Sequence, residues 1–202
     1  MIQPFGSLKK VNVTNRKREY LDLNCQIFHS GSYCIVPIRD QDKYPIMDMR
    51  NSQIFHLRQS KLLTNEDQDK YFSTIINDLF GKEKPTEILF SYLRDDELVG
   101  YGGLVHINWT DKNAEISFIV KENYEKELEK HWTHFLEMIS QVAFQQLELH
   151  KIFTYAFDLR PYLYKILEKN SFNKDATLTE HCLFDGKYLD VVIHSKFRNA
   201  QF

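Results

Sequence analysis

Apolar runs separated by polar turns predict three consecutive β-strands in the middle of the chain. Ile88–Leu93 and Leu98–Ile107 are apolar, and the polar residues Arg94–Glu97 between them suit a tight reversal. A second polar turn, Thr110–Asn113, leads into a third apolar run, Ala114–Val120. The pattern therefore indicates an antiparallel meander.

Apolar residues at helical spacing predict helices on both sides of this meander. Asp40 can cap a helix that runs to Asn51, and Thr64 with Asp67 resembles a capping box at the start of a second one. The widest apolar stripe, Leu128–Leu147, predicts a long helix after the meander, and Pro161–Asn170 predicts a short one.

Two hairpins are predicted near the ends of the chain. Cys25–Phe28 and Tyr33–Ile38 flank a short polar turn, and Cys182–Phe184 and Tyr188–His194 flank the turn dipeptide Asp185–Gly186. A strand after the long helix, Lys151–Phe157, completes the set of elements.

This order of elements predicts an α/β fold with a mixed, mostly antiparallel sheet. Residues 1–24 are polar and basic, so we expect residues 1–32 to form an N-terminal arm and hairpin strand and residues 33–202 to form the main domain. The arm and the C-terminal tail are candidates for a homodimer contact.

Composition narrows the class of protein. The 202 residues are 43% hydrophobic and 27% charged, with a net charge of -2, which is typical of a globular domain that binds neither nucleic acid nor an anionic membrane. The sequence has no apolar run long enough to span a bilayer and begins without a signal core, so we expect a cytoplasmic protein. Three cysteines without CxxC spacing predict neither a disulfide framework nor a metal site.

One face of the predicted meander carries candidate chemistry. If the turn pairs Trp109 with Ala114, alternation places four polar side chains together: His106, Asn108, Glu115 and Ser117. The apolar neighbours then point the other way: Val105, Ile107, Ile116 and Phe118. A polar quartet buried under helices indicates a site, because unpaired buried polar groups cost about 1 to 3 kcal/mol each. A hairpin with one solvent-exposed face is the alternative, and a one-residue shift in register would separate the quartet.

Several short segments, taken in order, resemble the GCN5-related N-acetyltransferase (GNAT) superfamily over roughly residues 33 to 196. The matching segments are Met49–Ser52, Leu98–Gly103, Ala114–Phe118, Leu149–Ile152, Leu167–Phe172 and Asp185–Asp190. Within the superfamily the chain looks most like the branch of ribosomal-protein N-terminal acetyltransferases and amino-sugar acetyltransferases. The resemblance implies a splayed sheet with helices on both faces.

The resemblance also implies that acetyl-CoA enters between the fourth and fifth strands of the family's sheet. Its pantetheine arm would pair with the backbone of Phe118, Ile119 and Val120, and its pyrophosphate would sit at a glycine-rich loop before the long helix. The matching stretch here, Lys121–Lys130, contains no glycine. Three basic side chains are therefore candidates for binding the donor: Lys126, Lys130 and Arg160.

The family reaction is attack of an amine on the acetyl thioester, which needs a proton acceptor. Glu115 is the first candidate for the general base and His106 the second. The position where many family members carry a general-acid tyrosine corresponds to Leu167. Tyr164, one helical turn earlier, is the candidate substitute.

The acceptor is expected between the first two helices and the sheet. Five residues are candidates for binding it: Arg50, Asn51, Arg58, Asn108 and Ser117. Because arginine is well suited to bind phosphate or carboxylate, we expect a small-molecule amine, with an amino sugar or sugar nucleotide favoured. Two alternatives stay open. A protein N-terminus as acceptor predicts an open, acidic groove, and a non-catalytic binding module is consistent with the glycine-free loop.

Overall fold

A computed structural model describes residues 18–121 and 127–198. Within these residues, eight strands form one sheet: β1 Phe28–Ser30, β2 Tyr33–Pro37, β3 Ile88–Arg94, β4 Glu97–Asn108, β5 Asn113–Val120, β6 Lys151–Phe157, β7 Asn173–Phe184 and β8 Lys187–Phe197. The α-helices are α1 Lys43–Ser52, α2 Asn65–Tyr71, α3 Asn77–Leu79, α4 Leu128–Gln141 and α5 Tyr162–Lys169. Short π-helical turns connect α2 to α3 and extend α4.

The sheet opens into a cleft between β5 and β6. The strand order is β1-β2-β3-β4-β5-β6-β8-β7, and every neighbouring pair is antiparallel except β5 and β6. The parallel pairing covers only Asn113–Glu115 with Lys151–Phe153. Both strands continue beyond this point, β5 to Val120 and β6 to Phe157. Their edges therefore diverge, as the predicted splayed sheet requires.

Aromatic side chains pack the long helix onto the sheet. Phe118 of β5 stacks on Phe135 of α4, with ring centroids 3.9 Å apart, and meets Trp132 edge to face at 5.1 Å. Such pairs add about 0.5 to 1.5 kcal/mol beyond the area that they bury. The apolar stripe predicted from the sequence is thus the core-facing side of α4. None of the helices in the described parts of the chain is long and apolar enough to cross a membrane.

Residues near the N-terminus belong to the same core. Tyr20 is 1% exposed, and its hydroxyl donates to the Leu89 carbonyl at 2.7 Å and accepts from the Leu89 N–H at 2.8 Å. Leu23 is also buried. The segment that precedes β1 is therefore fastened to the centre of the sheet, although its sequence is polar. The earlier part of the predicted arm, residues 1–17, lies outside the described residues.

Most predicted elements are present, with changes at their ends. The Thr64–Asp67 capping box is formed, with hydrogen bonds of 3.1 and 3.2 Å. Asp40 begins a short 3₁₀ turn instead of capping α1, which starts at Lys43. β1 starts three residues later than predicted, at Phe28, and β7 starts nine residues earlier, at Asn173. The strand positions that were missed are largely polar, so the sequence pattern did not mark them.

The predicted register of the β4–β5 hairpin is wrong. Asn108 pairs with Asn113, and Val105 pairs with Glu115, with an irregularity between the two pairs. The extra residue of this β-bulge is accommodated at His106, whose φ is +51°. Val105 therefore lies opposite Glu115, not on the other face as predicted.

Close contact between the backbones of β3 and β4 explains why position 103 is a glycine. A Cβ added to Gly103 would overlap the carbonyl oxygen of Ile88 and lie 2.9 Å from the Cα of Leu89, both of them backbone atoms. We expect Gly103→Ala to lower the free energy of unfolding by about 1 to 3 kcal/mol, measured by urea denaturation, because the strands must separate to admit the methyl group. Gly186→Asn is the control, since Gly186 has open space around it and asparagine tolerates its φ of +72°. Equal losses in both variants would contradict this explanation.

Candidate active site

A cavity of about 450 Å³ lies in the cleft between β5 and β6. Its walls are the end of α1, the segment His56–Arg58 that follows, the diverging strands and the start of α5. The volume falls within the range of about 300 to 1,000 Å³ that is usual for small-molecule sites. The acceptor pocket was predicted between the first two helices and the sheet, which is where Arg50 and Tyr71 enter the wall.

The edge of β5 presents backbone groups to this cavity. Hydrogen-bonded and non-hydrogen-bonded pairs alternate along an antiparallel ladder. The Lys121 N–H donates to the Val99 carbonyl at 3.0 Å, so Val120 and, by the same alternation, Phe118 turn their backbone groups away from β4 and toward the cleft. The Val120 carbonyl accepts a hydrogen bond of 2.7 Å from the side-chain amide of Gln53.

A buried carboxylate joins two other charged or titratable side chains at the closed end of the cleft. Glu115 is 5% exposed, and its Oε1 forms an ion pair with Arg58. Its Oε2 lies 2.9 Å from Nδ1 of His106, which the β-bulge brings within reach. The Arg58 guanidinium also lies over the ring of Tyr155, 4.7 Å from its centroid. Both carboxylate oxygens are thus engaged, and the His106 side chain is still 61% exposed.

Arg50 points a guanidinium into the same cavity without a carboxylate partner. It donates to the Tyr101 hydroxyl at 2.8 Å and to Oε1 of Gln59 at 3.0 Å, and both of these groups are uncharged. In the parts of the chain that the structure describes, no Asp or Glu forms an ion pair with it. An arginine held by neutral groups in a cavity is suited to bind an anion.

His56 was not predicted, and it lies in the wall of the cavity. Its Nε2 is 3.2 Å from Oε1 of Gln53 and 3.4 Å from Nη1 of Arg160. Burial, followed by the charge of Arg160, lowers the pKa of His56 to about 4. The imidazole is therefore neutral at pH 7.

Three of the residues predicted to act in catalysis or to bind the acceptor lie outside the cavity. The Tyr164 hydroxyl donates to Asp158 at 2.8 Å, and its ring stacks on His194, so Tyr164 faces away from the cleft. The Asn51 side chain forms two hydrogen bonds to the backbone of Leu63, at 2.8 and 2.9 Å. These bonds hold the loop between α1 and α2.

The third is Asn108, the last residue of β4, beside the hairpin turn. There its side chain bonds to Asp111 at 2.8 and 2.9 Å. Ser117 pairs with Gly103 and does line the cavity, as Phe118 and Ile119 do. The predicted quartet is therefore reduced to His106 and Glu115 in contact, with Ser117 on the same cavity wall.

Of the basic residues predicted to bind the acetyl donor, one lines the cavity and another does not. Arg160 lines the cavity beside His56. Lys130 instead lies on the surface, with its side chain 53% exposed and its ammonium 5.6 Å from the ring centre of Tyr33, because it projects from the outer side of α4. Lys126 and the centre of the glycine-free loop, residues 122–126, lie outside the described residues. Leu167, at the family's tyrosine position, is fully buried.

Tyrosines and a glutamate that the sequence did not indicate complete the cavity wall: Tyr71, Tyr101, Tyr155 and Glu87. The Tyr71 hydroxyl lies 3.4 Å from Oε2 of Glu87. These residues come from separate elements and share no sequence spacing. Only the alternation along β4 and β6 could have indicated which way Tyr101 and Tyr155 point.

The family model for the GNAT acetyltransferase domain matches residues 35–193, so the chain belongs to the GNAT acetyltransferases. Members of this family transfer an acetyl group from acetyl-CoA to an amine, so the protein is an acetyl-CoA-dependent N-acetyltransferase. The match confirms the predicted superfamily, fold class and class of enzyme. No curated protein sequence matches the chain.

Solved structures support the same fold. The spermidine N-acetyltransferase of Vibrio cholerae in complex with CoA and spermine superposes with a TM-score of 0.72 and 18% identity, over 84% of this chain and 97% of that one. A mutant form of the spermidine/spermine N-acetyltransferase SpeG from Vibrio cholerae gives a TM-score of 0.71 and 17% identity, over 84% and 95% of the two chains.

Proposed function

We propose that this enzyme acetylates the amine of a small molecule that also carries a phosphate or carboxylate group. Arg50 is the observation that carries the proposal, because its guanidinium faces the cavity while its described partners, Tyr101 and Gln59, are neutral. A bound anion would complete its hydrogen bonds and add to the charge compensation that Glu87 supplies through space. An amino sugar phosphate or an amino-sugar nucleotide has both the amine and the anion.

The charge of the cavity favours such an acceptor over a polyamine. Among the residues that the structure describes, three arginines line it, Arg50, Arg58 and Arg160, against two carboxylates, Glu87 and Glu115. Glu115 is already paired with Arg58. A spermidine molecule, which is the substrate named for the solved relatives, would bring several positive charges to this surface. Like charges in a partly desolvated cavity repel, so we expect polyamines to bind weakly.

The Glu115–His106 pair can prepare the amine for attack. An ordinary amine is protonated at neutral pH and must lose a proton before it can act as a nucleophile. When the His106 Nδ1–H donates to Glu115, the Nε2 lone pair of the imidazole is left to accept that proton. Because His106 is exposed, it can pass the proton to solvent. Glu115 then serves to orient His106 in place of acting as the base itself.

The open edge of β5 fits the acetyl donor. The backbone groups of Phe118 and Val120 face the cleft, where they can pair with the amides of a pantetheine arm. A backbone N–H in this position is also suited to polarise a thioester carbonyl. Arg160 lines the same cavity, and its charge favours the donor's phosphates.

The two alternatives from the sequence are less well supported. A protein N-terminus as acceptor predicts an open, acidic groove, whereas the described lining of this cavity has more arginines than carboxylates. A non-catalytic binding module would not need the contacts of Glu115 with His106 and Arg58 in the cleft. The cytoplasmic location and the homodimer contact stay predictions.

A panel of acceptors tests the proposed substrate class. Purified enzyme with acetyl-CoA is assayed against an amino sugar, its phosphate, its nucleotide conjugate, an amino acid, spermidine and a short peptide, with released CoA thiol as the readout. We expect kcat/KM for the anionic amino sugars to exceed that for the neutral sugar by about 10-fold or more, since a charged hydrogen bond is worth about 1.5 to 3 kcal/mol. A preference for spermidine or the peptide would overturn the proposal, and failure to bind CoA would favour the binding module.

A further inference from the structure

Arg58 reaches the Glu115 carboxylate from a loop. It follows the short turn Ile54–His56, and its guanidinium forms an ion pair with Oε1 of Glu115, which belongs to β5. The Arg58 side chain is 47% exposed, whereas that of Glu115 is 7% exposed. A half-exposed ion pair contributes little by itself, because a long side chain loses rotamer freedom when it is held in one position. A second contact is therefore needed to keep the guanidinium beside the carboxylate.

The ring of Tyr155 supplies this second contact. The Arg58 guanidinium lies 4.7 Å from the ring centroid, within the distance of about 6 Å at which a cation and an aromatic face attract each other. Glu115 pairs with Phe153 of β6, and Tyr155 lies two residues further along β6, so its side chain is on the same face of the sheet as that of Glu115. Arg58 thus joins a carboxylate on β5 to a ring on β6.

The Tyr155 ring is in turn held by residues of the outermost strand, β7. Its hydroxyl lies 3.3 Å from Sγ of Cys182, and its ring meets that of His181 edge to face, with centroids 6.0 Å apart. Burial, followed by the hydrogen bond to Cys182, raises the pKa of Tyr155 to about 12. The phenol is therefore neutral at pH 7, and it offers Arg58 an aromatic face and not a negative charge that would compete with Glu115.

We propose that Tyr155 is a positioning residue that acts through Arg58: its ring holds the guanidinium against Glu115 and thereby fixes the carboxylate that orients His106. This inference rests on the proposed function, in which Glu115 and His106 prepare the amine for attack. Arg58, which the sequence suggested as a contact for the acceptor, then acts on the base.

The charge of Arg58 gives this role a measurable consequence. Without the ring, Arg58 is free to turn toward solvent, and Glu115 loses the positive charge that balances it. A carboxylate without that balance holds a proton on a neighbouring imidazole more strongly, so His106 should stay protonated to a higher pH. The other charged and titratable groups of the described cavity wall are unchanged in the variants below: Arg50, His56, Tyr71, Glu87, Tyr101 and Arg160.

Two substitutions at Tyr155 separate the ring from its hydroxyl. We expect Tyr155→Leu to lower kcat/KM by roughly 3- to 30-fold, the range that a cation–π contact supports, and to move the acidic limb of the pH profile upward by roughly 0.5 to 1 pH unit. Tyr155→Phe should keep at least about half of the wild-type kcat/KM with an unmoved limb, since the aromatic face is still present. Tyr188→Leu is the matched control and should behave like wild type, because Tyr188 is 65% exposed on β8.

A double-mutant cycle with Arg58→Met tests whether Tyr155 acts through Arg58. If it does, adding Tyr155→Leu to Arg58→Met should change kcat/KM by less than about twofold, because the ring then has no guanidinium to hold. The inference would be overturned if the two losses multiply, if Tyr155→Phe is as impaired as Tyr155→Leu, or if Tyr155→Leu has wild-type kinetics and an unmoved profile. Tyr155→Met replaces the leucine variant if thermal unfolding shows that the latter does not fold.

The titration of His106 tests the inference without any substrate. Nuclear magnetic resonance of the imidazole follows its protonation in the enzyme alone, with neither donor nor acceptor present. We expect the midpoint to be higher in Tyr155→Leu than in wild type and unchanged in Tyr155→Phe. The same midpoint in all three proteins would overturn the inference even if an anionic amine is acetylated. If no anionic amine is acetylated, the proposed function fails instead, and the midpoint still decides the role of Tyr155.

Discussion

Replacing Glu115 by glutamine is expected to lower kcat/KM by about 100- to 10,000-fold, the usual contribution of general acid–base catalysis. The substitution removes the negative charge that pairs with Arg58 and that orients His106 through a contact of 2.9 Å. Steady-state kinetics with acetyl-CoA and the best acceptor, measured from pH 6 to 9, would show the loss. Turnover that is unchanged across this range would exclude Glu115 from the reaction.

The variant His106→Asn shows whether His106 or Glu115 is the general base. If His106 takes the proton while Glu115 orients it, both variants should lose activity to a similar extent, and the double variant should lose little more, because residues that act as a unit are not additive. If His106→Asn is nearly fully active while Glu115→Gln is not, the carboxylate itself is the base. Unchanged thermal unfolding in each variant is the control for folding.

Replacing Arg50 by methionine is expected to raise KM for an anionic acceptor by roughly 10- to 100-fold, because a hydrogen bond to a charged group contributes about 1.5 to 3 kcal/mol. The loss should fall mainly on KM, since Arg50 hydrogen-bonds to Tyr101 and Gln59 and not to Glu115 or His106. Initial rates as a function of acceptor concentration would separate KM from kcat.

The neutral amino sugar provides the control for Arg50. Its KM should differ little between wild type and Arg50→Met, because it has no anion for the guanidinium to bind. Arg50→Lys should recover part of the affinity for the anionic acceptor, since a lysine keeps the charge but not the two-point geometry. An equal rise in KM for the neutral and the anionic acceptor would mean that Arg50 shapes the cavity without selecting the anion.

The tertiary structure changes the roles that the sequence suggested for the polar residues of the meander. Sequence alternation grouped His106, Glu115, Asn108 and Ser117 on one face, but only His106 and Glu115 are in contact, and they meet through a β-bulge. A bulge adds one residue to one strand and changes the direction of the side chains after it. Nothing in the local pattern marked the bulge, because His106 and Ile107 continue the polar–apolar alternation of the strand.

The sequence by itself determined the elements that have a strong local signal. The apolar stripe of α4, the capping box at Thr64 and the turn at Asp185–Gly186 are all in place, because periodicity, capping and turn residues act over a few positions. The order of these elements was enough to indicate the family. Only the tertiary structure decided that Gln53, His56 and Arg160, from two separate segments, meet across the cleft. Such contacts depend on how distant elements pack, and they leave no spacing in the sequence to find.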